Sequence, residues 1–180
     1  NINSNGKLLD LGCGCGIVGI IIGKCIKHDV ELYASDISYT VEEIVNRNAA
    51  EHKVNIKVKK SNIFEEWNNM KFDYIINDIS GVSSLVANLS PWFKNISCES
   101  GDGGDLLVNQ VIHKSKNYLS KNGKLFFPVI SLSDKNSIVN QAKKNFTNVF
   151  LLDYQEWPVP KEMMEHAVLL RDLKKKGKIF

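Results

Sequence analysis

The chain has 180 residues and little cysteine: Cys13, Cys15, Cys25 and Cys98, no two of them in C-x-x-C spacing. Zinc ribbons and dithiol redox motifs are therefore excluded, and four thiols are too few for a disulfide scaffold. Long hydrophobic runs are also missing. The longest, around Ile17–Ile22, is too short to cross a bilayer and is broken by Gly19 and Gly23. No basic-then-apolar leader opens the sequence, so a reduced, cytoplasmic protein is expected, with no membrane partner. His28, His52, His113 and His166 show no metal-ligand spacing, and no metal is expected. The first residue is Asn1 rather than Met, as in a fragment or a processed chain.

What is present is ordinary for a folded domain. Apolar residues make up 43% and charged residues 24%, which excludes disorder, collagen and coiled coil. The length predicts one domain over residues 1–180. The net charge of +3 is unevenly spread. Arg171, Lys174, Lys175, Lys176 and Lys178 against Asp172 give the last ten residues +4, leaving residues 1–170 at −1. The body thus lacks the broad basic face of a nucleic-acid binder. The tail reads most simply as a solvated, frayed terminus.

Apolar runs alternate with helical patterns, as in β/α units around a parallel sheet. Strands are expected at Lys7–Leu11, Glu31–Ser35, Val54–Lys59, Phe72–Asn77, Lys124–Ile130, Val149–Tyr154 and His166–Asp172. Val54–Lys59 alternates apolar and basic residues, the pattern of an edge. Phe72–Asn77 is apolar on both faces, the pattern of an interior strand. Helices are expected at Ile17–Lys27, from a Ser38 cap to His52, from Asp105 to Ser120 before Asn122-Gly123, and from Ser133 or Asp134 to Asn145. The sum is a doubly wound, mostly parallel α/β sheet of seven strands. Residues 80–103 form a long connection after an interior strand, and such connections tend to be functional.

Ligands in open α/β sheets gather beyond the carboxyl ends of the strands. After the first strand stands Asp10-Leu11-Gly12-Cys13-Gly14-Cys15-Gly16. Alternating glycines let backbone turn tightly and approach a ligand with no Cβ between. A phosphate-binding P-loop fails on spacing, since Gly19 to Gly23-Lys24 is one residue short and Cys25 follows. Gly14-x-Gly16-x-x-Gly19 matches the dinucleotide fingerprint only literally, because it starts three residues beyond the strand. A third reading takes Asp10 and the glycines as one unit. An anion there suits a cation, such as the sulfonium and ammonium of S-adenosylmethionine.

Leu8–Gly16 (LLDLGCGCG) closely resembles the first motif of the class I S-adenosylmethionine-dependent methyltransferases. The similarity continues over roughly residues 7–131. It implies a Rossmann-like sheet with an antiparallel strand near the C-terminus, and S-adenosylmethionine as cofactor. Asp36, in Ala34-Ser35-Asp36-Ile37-Ser38, then stands where the family holds the ribose hydroxyls. Asn62 stands where the adenine amino group is met, with Ile63 packing nearby. The resemblance thus implies a cofactor site of Asp10, Gly12, Gly14, Gly16, Asp36, Ile37, Asn62, Ile63 and Asn77. Cys13 and Cys15 read as small fillers rather than nucleophiles.

Within the class, the layout looks most like the branch of the release-factor glutamine methyltransferase and the small-domain ribosomal RNA guanine methyltransferases. That branch ends its fourth strand in Asn-Pro-Pro-aromatic, which accepts the N–H groups of a planar amine and stacks on it. Here the corner is Asn77-Asp78-Ile79-Ser80. The Asn is kept; both prolines and the aromatic ring are gone. Asn77 and Asp78 are the expected catalytic residues, with Asp78 a second acceptor or general base. Ser80 and Trp92 are the expected substrate-side residues. Trp67 and Trp157 offer stacking surfaces or core. The implied reaction is methyl transfer to a nitrogen of RNA or protein. A catalytically silent cofactor-binding subunit, a small-molecule methyltransferase and a nicotinamide dehydrogenase are the alternatives. Only Asn1–Gly6 precede the first strand, so substrate recognition is expected from a missing N-terminal region or a partner subunit.

Overall fold

The structure is a computed structural model; residues 2, 5–26, 28–93, 98 and 100–180 are described here, Trp92 for its backbone alone. The chain divides into two compact units, residues 1–79 with 114–127 and residues 80–113 with 128–180.

The first unit is built on five parallel strands, β1 (Gly6–Leu11), β2 (Val30–Asp36), β3 (Ile56–Lys60), β4 (Phe72–Asn77) and β5 (Leu119–Phe126). Their order is β3-β2-β1-β4-β5. The chain steps outward from β1 to β3, then restarts at β4 on the other side of β1. The switch point therefore lies between the carboxyl ends of β1 and β4. Helices α1 (Ile17–Cys25) and α2 (Val41–Glu51) fill the first two crossovers. Ile20, Val41, Val45 and Ala49 bury themselves with Leu8, Leu32, Ala34, Ile56 and Tyr74. Gly19 and Gly23 let α1 close on the sheet, since a Cβ at Gly19 would sit 2.9 Å from Ile56 Cδ1. Tyr33, Trp67 and Phe72 meet edge to face, with centroids 5.5 to 5.7 Å apart. Trp67 is thus core, its indole N–H donating to Ser35 Oγ at 3.0 Å.

The second unit holds α3 (Ser84–Ala87), most of α4 (Leu106–Ser115), α5 (Lys135–Asn145), α6 (Lys161–Met164) and α7 (Ala167–Lys175). Val82, Val86, Ala87, Cys98, Leu173 and Ile179 form its core. Asp134 caps α5 by accepting from Ser137 N–H at 2.9 Å. The last residues are tied down rather than frayed. Ile179 is buried, Phe180 N–H donates to Ser131 O at 3.0 Å, and Lys135 Nζ stands 4.9 Å from the Phe180 ring centroid.

Several expectations are corrected. Among the described residues the sheet has five strands, all parallel, not seven with an antiparallel member. His166–Asp172 coils into α7 because Ala167, Leu170 and Leu173 recur every three residues on the inward face, while Val168 is exposed. Val149–Tyr154 then has no neighbouring strand to pair with and runs without regular structure. Helix α4 ends at Ser115, five residues early, and β5 starts at Leu119. Gly123 is not a helix stop. It lies at the irregularity between β4 and β5, where a Cβ would approach Phe72 O to 2.8 Å. The cap of α2 is Thr40 rather than Ser38.

Candidate functional site

Parallel register lines up the strand ends. Leu11 of β1 pairs with Ser35 of β2 on one side and Asn77 of β4 on the other, and Asp36 pairs with Lys60 of β3. Four strand ends therefore line one rim of the first unit.

The first loop is shaped by its glycines. Gly12, Gly14 and Gly16 have φ of 78°, 52° and 81°, the left-handed region that side chains disfavour. Gly12 and Cys13 donate their N–H groups to Ser35 O at 2.8 and 3.1 Å, tying the loop to β2. A Cβ at Gly12 would lie 2.8 Å from Ile79 N, and one at Gly16 would lie 2.9 Å from Val45 Cγ1. At Gly14 a Cβ would meet nothing within 4 Å. The loop is packed at both flanks and open at its apex. Burial pushes the Cys13 thiol well up, so it is no nucleophile.

Asp10 is fully buried beneath this loop. Its Oδ2 accepts from Gly19 N–H of α1 at 2.8 Å, while Oδ1 has no partner. Burial, aided by the Asp78 and Asp36 carboxylates, pushes its pKa up to about 6. A buried carboxylate with one bare oxygen is costly, and a cation is the neighbour that relieves it. Asp36 is only partly buried. Its Oδ2 accepts from Gly14 N–H at 3.0 Å and its Oδ1 from Ser38 N–H at 2.9 Å. Each oxygen keeps capacity for a further donor, as ribose hydroxyls would require. Ile37, next to it, is exposed.

The third rim loop is strained. Ile63, β-branched and buried, has φ of 52°. Ser61 holds the turn, its hydroxyl donating to Ile63 O at 3.0 Å and accepting from Glu66 N–H at 3.2 Å. Asn62 is exposed, with Nδ2 donating to Glu65 Oε1 at 2.9 Å. It also lines a cavity of about 360 Å³ with Phe64, Asn68 and Tyr118.

At the fourth strand end the side chains divide their tasks. Asn77 is buried; its Oδ1 accepts from Ile79 N–H at 3.3 Å, and its Nδ2 has no partner. Because a backbone N–H needs an acceptor, the carbonyl oxygen of this amide is already engaged. Asp78 is anchored by its backbone N–H to Leu11 O at 2.8 Å, and its side chain is exposed. Partial desolvation raises its pKa. Asp78 is thus the corner group that reaches solvent.

Asp10, the three glycines, Asp36, Ile37, Asn62, Ile63, Asn77 and Asp78 all stand on the first unit's rim. Ser80 belongs to the second unit, where its hydroxyl bonds Cys98 O. The side chain of Trp92 lies outside the described residues. Two contributors went unnoticed in the sequence. Ser35 receives the loop and the Trp67 indole, and Ser61 clamps Ile63. Serines in loops carry no pattern that reveals such distant partners.

Residues 1–78 match the family model described as methyltransferase small domain. The release factor glutamine methyltransferase of Flavobacterium psychrophilum is 27% identical over 82% of this chain and 54% of its own length. The ribosomal RNA small subunit methyltransferase C of Haemophilus influenzae is 28% identical over 67% of this chain and 31% of its own. The chain thus spans about half the length, or less, of these curated relatives. The ribosomal protein L11 methylase of Lactobacillus delbrueckii subsp. bulgaricus shares the fold, with TM-score 0.60, 19% identity, and 80% and 62% of the two chains covered. The chain thus resembles the class I S-adenosylmethionine-dependent methyltransferases, in particular their small-domain and release-factor glutamine methyltransferase branch.

Proposed function

We propose that the chain transfers a methyl group from S-adenosylmethionine to a nitrogen of RNA or protein, the two substrate classes that the relatives' names carry. One observation carries the reading: a buried carboxylate, Asp10, keeps a bare oxygen beneath a glycine loop whose apex is open. When bound, the cofactor supplies an electrophilic methyl group on a positive sulfur. Asp10 offers that cation its counter-charge. Asp36 accepts hydroxyl donors, Ile37 presents an apolar surface, and Asn62 with Ile63 borders the base. Asp78 receives the proton that a methylated nitrogen must shed, and its raised pKa suits that task. None of the four cysteines is joined in a disulfide, in keeping with a cytoplasmic setting. Among the described residues, no helix is long and apolar enough to cross a membrane. Substrate recognition falls to an N-terminal region outside this sequence or to a partner subunit.

The Asn77 geometry favours a second reading. Its side-chain carbonyl already accepts from Ile79 N–H, its Nδ2 has no partner, and the prolines and aromatic ring that follow Asn in the resembled branch are absent, so the corner departs from one built to hold a planar amide. A cofactor-binding subunit without catalysis of its own fits that arrangement. Calorimetry with S-adenosylmethionine tests what both readings share. Transfer of a tritiated methyl group into RNA and protein fractions separates them. Label incorporated by wild type and lost in Asp78→Asn supports the enzyme; cofactor binding with no label from either chain supports the silent subunit.

A further inference from the structure

The second unit ends in an unusual surface. Phe150, Leu151, Tyr154 and Trp157 are 75%, 78%, 71% and 70% exposed along one stretch without regular structure. On α7, Val168 is likewise exposed. A contiguous run of large apolar side chains in water marks an interaction site rather than a scatter of surface residues.

The charges around it are sorted. Asp153, Glu156, Glu162 and Glu165 against Lys161 leave residues 150–165 at −3, whereas the last ten residues carry +4. Within the described residues these opposite sets do not use one another. The ion pairs there are Lys57–Glu31 and the local Lys176–Asp172, and none joins the acidic stretch to Arg171, Lys174 or Lys175. The basic helix is also fixed in place, since its Leu173 is buried in the second unit's core. One chain thus displays an acidic apolar stretch and a basic apolar helix, each lacking its complement.

We infer that this surface is a self-complementary interface, on which the acidic stretch of one copy meets α7 of a second copy and the reverse. A two-fold arrangement uses each patch once and leaves neither exposed, as closed dimers require. The apolar side chains supply the association energy, and the sorted charges fix orientation and partner.

Sedimentation equilibrium and light scattering on the whole chain test it, and a concentration-dependent dimer is expected. Leu151→Asp with Trp157→Asp, both at exposed positions, gives a monomer with an unchanged circular dichroism spectrum. Lys174→Glu with Lys175→Glu weakens self-association by about tenfold or more. Asp153→Lys with Glu156→Lys does the same. Mixing the two charge-reversed chains restores a dimer, here a heterodimer, which a fold defect would not produce. A chain that stays monomeric at all concentrations overturns the inference, as does a dimer indifferent to both charge reversals. So does a monomer that instead takes up a single-stranded RNA oligonucleotide through Lys174 and Lys175.

Discussion

The two ends of the sheet treat their polar groups in opposite ways. At the amino ends, Asn5, Lys7, Asp29, Glu31, Asp73 and Ser120 line an open cleft of about 430 Å³. Its polar groups find partners within the first unit. Asp73 accepts from Lys7 N–H at 2.9 Å and from Ser120 Oγ at 2.7 Å, and Glu31 accepts from Tyr33 and Lys57. At the carboxyl ends, Asp10 Oδ1 and Asn77 Nδ2 are buried with nothing to bond. A cleft whose groups satisfy one another has little left to offer a ligand. Bare buried atoms weaken the fold and are kept where something else completes them. Unmet hydrogen-bonding demand, rather than the size of the hollow, separates the working end from the structural one.

That contrast breaks most visibly at Asp10. Asp10→Ala is expected to weaken S-adenosylmethionine binding by at least about a hundredfold in calorimetry, because it removes a buried counter-charge. Gly12→Ala comes next. A Cβ 2.8 Å from Ile79 N on a left-handed backbone should cost about 3 kcal/mol in urea unfolding. Gly14→Ala, with open space around it, should cost about 1 kcal/mol, while blocking the cofactor's approach.

Stability against pH sharpens the comparison further. The folded Asp10 carboxyl titrates at about 6 against an ordinary 3.8, so the native state holds a proton there that the unfolded chain releases. Asp10 ionisation therefore destabilises the fold as pH rises through about 6, and the penalty vanishes below about pH 4. Asp10→Asn should gain about 2 kcal/mol over wild type at pH 8 and nothing at pH 4. The sign reverses for ligand. Affinity for the cationic cofactor should fall about tenfold from pH 7 to pH 5 as Asp10 takes up its proton. At the amino end, Asp73→Asn is expected to lower stability by about 1 kcal/mol with the cofactor affinity unchanged. Glu31→Gln, on an exposed pair, should leave the thermal midpoint within error, the smallest effect of the series.

The parts legible in the sequence were those set by local rules. Phe72–Asn77 matches the observed strand end for end, and the glycine loop, Asp36 and Asp134 stand where spacing and capping put them. Elsewhere a local signal was overruled. Asn122-Gly123 looks like a helix stop, yet Gly123 is used where β5 passes closest to Phe72. Val149–Tyr154 has a strand's composition, but composition does not provide a neighbour, and α7 removed the one expected. Ser35 and Ser61 matter through bonds to backbone and side chains brought near by folding, which no window of residues contains.

The path of the chain has a practical consequence for dissecting it. Similarity to the family model stops at residue 78, an inviting place to cut. Yet the strand that covers β4 along Phe72–Ile76 arrives only with residues 119–126. A truncation at the apparent boundary would strip β4 of its outer neighbour, leaving a bare, apolar ladder open to any stray strand in solution. Such a fragment should precipitate rather than fold, and a length that reaches Phe127 is the shortest that keeps all of the first unit.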